Sequence, residues 1–524
     1  MLSTARAADH SHHADHPEHP DRAADQGGGG GAGAPAAPPP AGAPAGARAQ
    51  APAPVPASAS APAPAHAPAP ASASAERSVD HADVVVVGAG LAGLSAAHRL
   101  TAAGVTVRVL EAAPVVGGRM STEHLDGFHL DRGGQLLSSA LPELRRIPAL
   151  RDAELRAFSP GVLVYDGEQL HRTGEVGTSP HALRPAGRGA AHGPRGVGVA
   201  FTVARALASA PRPRQLDQAR LSASLVRLGG SPVHRLHALP ELPAADALYG
   251  RGLPTRTVRG FLRPLLAALL HDPDLATSSR VADLVLRGYA RGRLCVPAGG
   301  ADALPRLLAA TLPEGTVRTG VRVTDVAVNR VTTAGHGVVS CRAVLVATDA
   351  RSAAELLPGL RVPAFRPVTV VHHTAPEPPL RDPALVLDAT GGGPVGYTAV
   401  MSEVDASRAP AGRALISSTV LGAPPEDADR AVRRHLAALY GTPTDEWELL
   451  TVHHDPEAVA AMPPPHDPRR PVRLLSGLYV CGAHRDTATV QGALFSGRRA
   501  ARWVLTDFGI RPGYATSAVP AAVA

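Results

Sequence analysis

The chain has 524 residues, a formal net charge of +7, 53 glycines, 52 prolines and, read end to end, no lysine. That length can bury two domains without disulfide or metal staples, and Cys295, Cys341 and Cys481 show neither paired nor metal-ligand spacing, which fits a reducing, cytoplasmic setting. The arginines are dispersed and aromatic residues make up 3% of the chain, which excludes the clustered basic and aromatic face of a nucleic-acid binder, and no apolar run reaches the roughly 18–20 residues of a membrane span.

Residues 1–80 are His/Asp-rich, then Gly-rich, then Ala/Pro-rich, with too few large apolar side chains to offset the entropy of ordering. They read as a disordered tail, with His10, His12, His13, His16 and His19 solvated and no apolar core of a secretory signal. Order is expected from Asp83. "DVVVVG" is a strand buried on both faces. "LAGLSAAHRLTAAG" is a helix stopping at Gly104, and "VTVRVLEA" is a second strand reaching Glu111. This is one βαβ unit, with a right-handed crossover and a parallel sheet.

Further along, "GVLVYDGEQLHR" (161–172) reads as a hairpin, and the Gly/Arg/Pro-rich stretch 183–215 carries no periodic pattern. "RGFLRPLLAALL" (259–270) is apolar on most of its surface, which suits a core helix of a second domain, with a membrane-surface placement flanked by Arg259 and Arg263 as the alternative. "VRTGVRVTDVAV" (317–328) and "RAVLVAT" (342–348) read as strands returning to the first sheet. "RPVTVVHH" and "RALISSTVLG" are further strands, "EDADRAVRRHLAALYG" is a capped helix ending at Gly441, and "GLYVCGAHRDTATVQGALFSGRRAARWVL" (477–505) is a strand, a glycine turn and a helix. The expected architecture is α/β: a discontinuous Rossmann-like nucleotide domain over 81–155, 290–350 and 468–510, an inserted α+β substrate domain with a mixed β-sheet over 156–289 and 351–467, and a C-terminal tail over 511–524.

Chemistry concentrates where glycines recur. Gly88, Gly90 and Gly93, with Leu91 and Ala92 between them, form G-x-G-x-x-G between strand and helix. The first glycine permits a tight turn, the second lets amides approach a pyrophosphate, and the third lets helix and strand pack closely. Glu111, followed by Ala112, stands where a carboxylate can accept hydrogen bonds from a ribose. Taken alone, these positions allow NAD or FAD. Gly117, Gly118 and Arg119 add a second glycine turn beside a cation, and Gly133 and Gly134 a third close pair.

The run 83–119, together with "DRGGQ", "VPAGG", "VLVATDA" and "VCGAHRDTATVQGALFSGRRAA", resembles the flavin amine oxidase and phytoene desaturase superfamily, which includes protoporphyrinogen oxidases. "FLRPLLAALLHDPDLATSSR" (261–280) is similar to its phytoene-dehydrogenase-like branch. The resemblance implies FAD, with Gly88 to Gly93, Gly118 and Arg119 at the diphosphate, Glu111 and Ala112 at the ribose, and the Val321 backbone at the adenine. It implies Gly134, Gln135 and Leu136 beside the isoalloxazine, Gly482 and Ala483 in the closing motif, and Val490 and Gln491 opening a helix toward the flavin N1/O2 edge. Two departures stand out. An acid commonly follows the glycine where this chain has Ala483, so that contact is either lost or passed to His484 or Asp486, and the lysine that holds a water near flavin N5 in amine oxidases has no counterpart. No cysteine falls where a flavin would be covalently linked. The expected function is FAD-dependent oxidation of a C–C or C–N bond in an apolar or partly apolar small molecule, tilted toward dehydrogenase or desaturase chemistry. The alternatives are a redox-neutral isomerase and a non-catalytic flavoprotein scaffold with peripheral membrane contact. Neither catalytic side chains nor metal ligands are singled out, and oligomeric state is not legible.

Overall fold

Four consecutive valines, Val84 to Val87, are at most 4% exposed because both faces of their strand are covered. The computed structural model describes residues 80–176 and 213–510. Residues 1–79 and 511–524 of the expected tails, and the unpatterned stretch as far as residue 212, lie outside these, whereas Asp80 belongs to the first strand and residues 213–215 open the helix Pro213–Gly230. The first strand, Asp80–Val87, pairs in parallel with Val107–Leu110 on one edge and with Gly337–Val346 on the other. Val317–Arg318 joins the outer edge of Val107–Leu110, and Leu478–Val480 pairs in parallel with the end of Gly337–Val346, so the five parallel strands come from three widely separated stretches of the chain. An antiparallel meander, Val323–Ala327 and Arg330–Thr333, extends the other half of that edge.

Alternate valines serve opposite cores, as a period of two requires. Val84 and Val86 pack with Leu94, Leu100, Leu308 and Leu494 from helices Leu91–Thr101, Ala303–Ala310 and Val490–Asp507. Val85 and Val87 pack with Val344, Val346 and Val331 on the other face.

A second, seven-stranded mixed sheet runs in the order Glu448–Ala460, Phe365–Ala375, Ala414–Val420, Val395–Val400, Val386–Asp388, Val162–Tyr165, Leu170–Thr173. All neighbours are antiparallel except Val386–Asp388 and Val162–Tyr165. The expected hairpin at 161–172 is thus one edge of this sheet. The helix Ala428–Tyr440 starts at Asp427, whose carboxylate accepts from Arg430 N–H, and ends at Gly441 with φ 64°.

The stretch 259–270 is a π turn, Val258–Leu262, running into the helix Arg263–Leu270. Leu262, Leu265, Leu266, Ala268 and Leu270 are at most 2% exposed, so its apolar face is used up inside the protein and the membrane-surface placement of this helix falls. Among the described residues no helix is long and apolar enough to cross a membrane.

Candidate functional site

The glycine loop follows from what each missing side chain would strike. Gly88 has φ 104°, and its N–H donates to Leu110 O at 2.7 Å. A Cβ on Gly93 would lie 2.1 Å from Gly88 O, so the helix start sits directly on the turn. Gly90 is different: a Cβ there would meet nothing within 4 Å. It is the N-cap of Leu91–Thr101 and no side chain caps that helix, which leaves the N–H groups of Leu91, Ala92 and Gly93 as donors toward an open space. Across that space stands Gly118, with φ 57° and a Cβ position 3.8 Å from Gly90 Cα, held there because Gly117 N–H donates to Ala89 O at 3.0 Å.

Glu111 locks the same loop. One carboxylate oxygen accepts from Ala89 N–H at 2.7 Å and the other from Ala113 N–H at 2.9 Å, past the exposed Ala112. Each oxygen keeps a further lone pair for a hydroxyl. Val321 lies beside it, but its N–H donates to Glu111 O at 2.8 Å, so of its backbone only the carbonyl is left for a ligand.

Arg119 reaches from the second glycine turn to donate to Ala458 O at 2.9 Å. It lines a cavity of about 420 Å³ with Gly118, Gly134, Gln135 and His454. Arg119 is accessible through that cavity yet surrounded by protein, and this desolvation lowers its pKa while Asp455 and Asp349 oppose the shift. The closing motif comes close to it. Gly482 has φ 145°, and its N–H donates to Ser496 Oγ at 3.0 Å. Ala483 is buried and brings only a methyl group. Of the two polar residues that could replace an acid there, Asp486 is engaged by Arg499 Nη1 at 3.1 Å, and burial pushes its carboxyl up to about 6. His484 is free to act: burial, with the charges of Arg485 and Arg119, holds it down to about 3, and its Nε2 is buried without a hydrogen-bond partner.

The third glycine pair is clamped by side chains that the sequence did not single out. Gly134 O accepts from Tyr397 Oη–H and lies 3.1 Å from His271 Nε2, which is also 3.0 Å from Tyr397 Oη. A Cβ on Gly134 would lie 2.2 Å from Tyr397 Oη, so only glycine fits. Burial pushes His271 down to about 4 and keeps it neutral. In a trans peptide the N–H opposes the C=O, so the clamp turns the Gln135 N–H away from this pair. The one sequence signal for His271 was its place as the polar stop, at φ 49°, after the apolar helix Arg263–Leu270.

The closing helix, Val490–Asp507, is N-capped by Thr489, which accepts from Gly492 N–H and leaves Val490 and Gln491 N–H as first-turn donors. With Gln135 and Leu136 these two residues line a cavity of about 510 Å³. The side chain of Gln491 is turned aside, accepting from Glu143 N–H at 3.1 Å. Gly497 is a contact missed in the sequence: a Cβ there would lie 2.1 Å from Ala92 O, so this helix crosses the glycine-loop helix at backbone contact. Cys295, Cys341 and Cys481 are buried thiols whose pKa values burial raises, so none is an activated nucleophile. Among the described residues no cluster of His, Cys, Asp and Glu could hold a metal.

The expected site residues therefore fall in three places: Gly88 to Gly93, Glu111, Ala112 and Val321 around the first loop, Gly118 and Arg119 with Gly482 and Ala483 beside it, and Gln135 and Leu136 with Val490 and Gln491 at the cavity of about 510 Å³, while Gly134 lines the cavity of Arg119. A family profile described as flavin containing amine oxidoreductase matches residues 91–505. A hydroxysqualene dehydroxylase from Sinorhizobium fredii is 26% identical over 455 residues, 81% of this chain and 99% of that one. A putrescine oxidase from Kocuria rosea is 58% identical over 62 residues, so the match spans only 13% of that protein's length. A solved oxidoreductase from Methanosarcina mazei shares the fold with a TM-score of 0.60 at 16% identity, covering 80% of this chain and 99% of that one.

Proposed function

From the premise that the chain belongs to the flavin containing amine oxidoreductase family, we propose that it takes a hydride from a C–C or C–N bond of an apolar or partly apolar small molecule onto non-covalently held FAD. One observation carries the reading: the uncapped helix N-terminus at Gly90, opening onto space with Gly118 opposite, is a cradle for a diphosphate. The other residues fit the rest of the cofactor. Arg119 would neutralise the diphosphate, the Glu111 carboxylate would take the ribose hydroxyls, and the Val321 carbonyl would meet the adenine. His484, with its orphaned Nε2, would take over the contact that Ala483 cannot make. Gly134, Gln135 and Leu136 would flank the ring system, and the first-turn N–H groups of Val490 and Gln491 would face its N1/O2 edge.

When bound, FAD supplies the hydride acceptor. The chain supplies position and dryness. The His271 and Tyr397 clamp fixes the Gly134–Gln135 peptide that would lie beside the ring, and Leu136, Leu137, Leu269, Val285 and Leu294 give the cavity of about 510 Å³ apolar walls that would limit water there. With no lysine anywhere, no ammonium group holds a water at the reacting face, which favours dehydrogenase or desaturase chemistry. The near-full-length match to a protein named for hydroxysqualene supports an apolar substrate.

The test is direct. Purified protein is expected to carry flavin absorbance that survives neither denaturation nor gel filtration afterwards, and that bleaches without oxygen when a pool of apolar hydroxylated and unsaturated compounds is added. Protein that purifies colourless and takes up no added FAD overturns the reading.

A further inference from the structure

Resting on the FAD reading above, we propose that the substrate carries an anionic head, a carboxylate or phosphate, on its apolar body, and that Arg287 and Arg291 hold that head. The cavity of about 510 Å³ lined by Gln135, Val490 and Gln491 is walled elsewhere by the helices Val233–His237 and Ser279–Arg291. Arg287 and Arg291 both line it and stand one helical turn apart, an unfavourable like-charge spacing. Their polar contacts are to backbone carbonyls, Arg287 Nε to Ser231 O at 2.8 Å and Arg291 Nη1 to Gly229 O at 3.0 Å. Among the described residues neither has a carboxylate within ion-pairing distance. The contrast lies in the same cavity wall, where Arg146 and Arg498 share the fully buried Glu143.

Arg287 is half-buried and Arg291 exposed, so the pair stands at the rim of the cavity, and burial together with the Arg291 charge lowers the Arg287 pKa, a repulsion that an anionic head would relieve. The approach to the cavity has the same sign. A neighbouring cavity of about 550 Å³ shares Arg469, Phe495 and Arg498 with it and adds Arg499, Arg502 and the half-exposed Trp503; Arg498 and Arg499 are paired with Glu143 and Asp486, so Arg469 and Arg502 set its sign. Such a surface draws anions inward and repels protonated amines. Arg287 and Arg291 line the cavity of Val490 and Gln491 and not the one lined by Gly118 and Arg119, so the diphosphate cradle does not account for them.

The experiment is calorimetric titration of the FAD-loaded full chain, without turnover, with decanoate, 1-decanol and decylammonium below their micelle-forming concentrations. Decanoate should bind about tenfold or more tightly than the other two. In the R287Q/R291Q double variant decanoate binding should weaken by about tenfold, with 1-decanol binding and FAD content unchanged, and R287K/R291K should restore decanoate binding to within about threefold of wild type. Decanoate binding no tighter than 1-decanol in the wild type overturns the proposal, as does wild-type decanoate affinity in the folded double variant. Flavin content is read separately by absorbance, so loss of the FAD reading and loss of the head-group reading are distinguishable.

Discussion

Gly90 and Gly93 are three residues apart, yet they should fail in opposite ways. A valine at 90 enters open space, so Gly90→Val is expected to fold with a wild-type far-UV spectrum and melting curve and to purify without flavin. At 93 the new methyl meets Gly88 O at 2.1 Å, so Gly93→Ala should cost about 2–4 kcal/mol by chemical denaturation, whether or not FAD is present. Histidines set the acid limit. Burial holds His271 and His372 down to about 4 and His484 to about 3, against 6.5 in an unfolded chain. The unfolded state therefore binds more protons between about 6.5 and 4, and stability is present at neutral pH and drains away as pH falls through that window. Asp486, raised to about 6, opposes this between about 3.8 and 6. The melting temperature should fall on acidification, and His271→Gln should flatten the slope, whereas an unchanged slope would show that His271 does not stay neutral. The glycines were legible because their spacing is local. His271 and Tyr397 were not, because Gly134 meets them only after separations of 137 and 263 residues.

At the scale of elements, the sequence showed which segments are strands and helices but not how they touch. The strands at 84–87, 107–110, 365–375 and 414–420 follow from β-branched runs, while their division between two sheets depends on pairings no period encodes. Helix crossings were equally silent. Gly497 lets the closing helix contact Ala92 O directly, an approach reinforced by Ser95 Oγ donating to Leu494 O at 2.9 Å. Gly497→Val should force the two helices apart and lower stability by about 2–4 kcal/mol. Because the glycine-loop helix would shift with it, flavin content should fall too, and a variant with normal flavin content and normal melting would refute this account of the crossing.

At the scale of the molecule, the cradle joins stretches that have little else in common, so ligand and fold should be coupled. Free FAD at a hundred times its dissociation constant should add about 2.7 kcal/mol, seen as a rise of about 3 °C in melting temperature over stripped protein. No difference between loaded and stripped protein would mean that FAD does not bind the folded chain in preference to the unfolded one. The strand Gly337–Val346 has a further consequence. One edge carries the first strand of the fold and the other carries Leu478–Val480, followed at once by the helix that covers Leu91–Thr101. On the ribosome, the first βαβ unit therefore emerges early and must wait, with one face of its helix bare, until almost the whole chain has been made. The proposed nucleotide site is begun by the first described strand and completed by the last described helix, so through the interval of translation between them its apolar helix face stays uncovered.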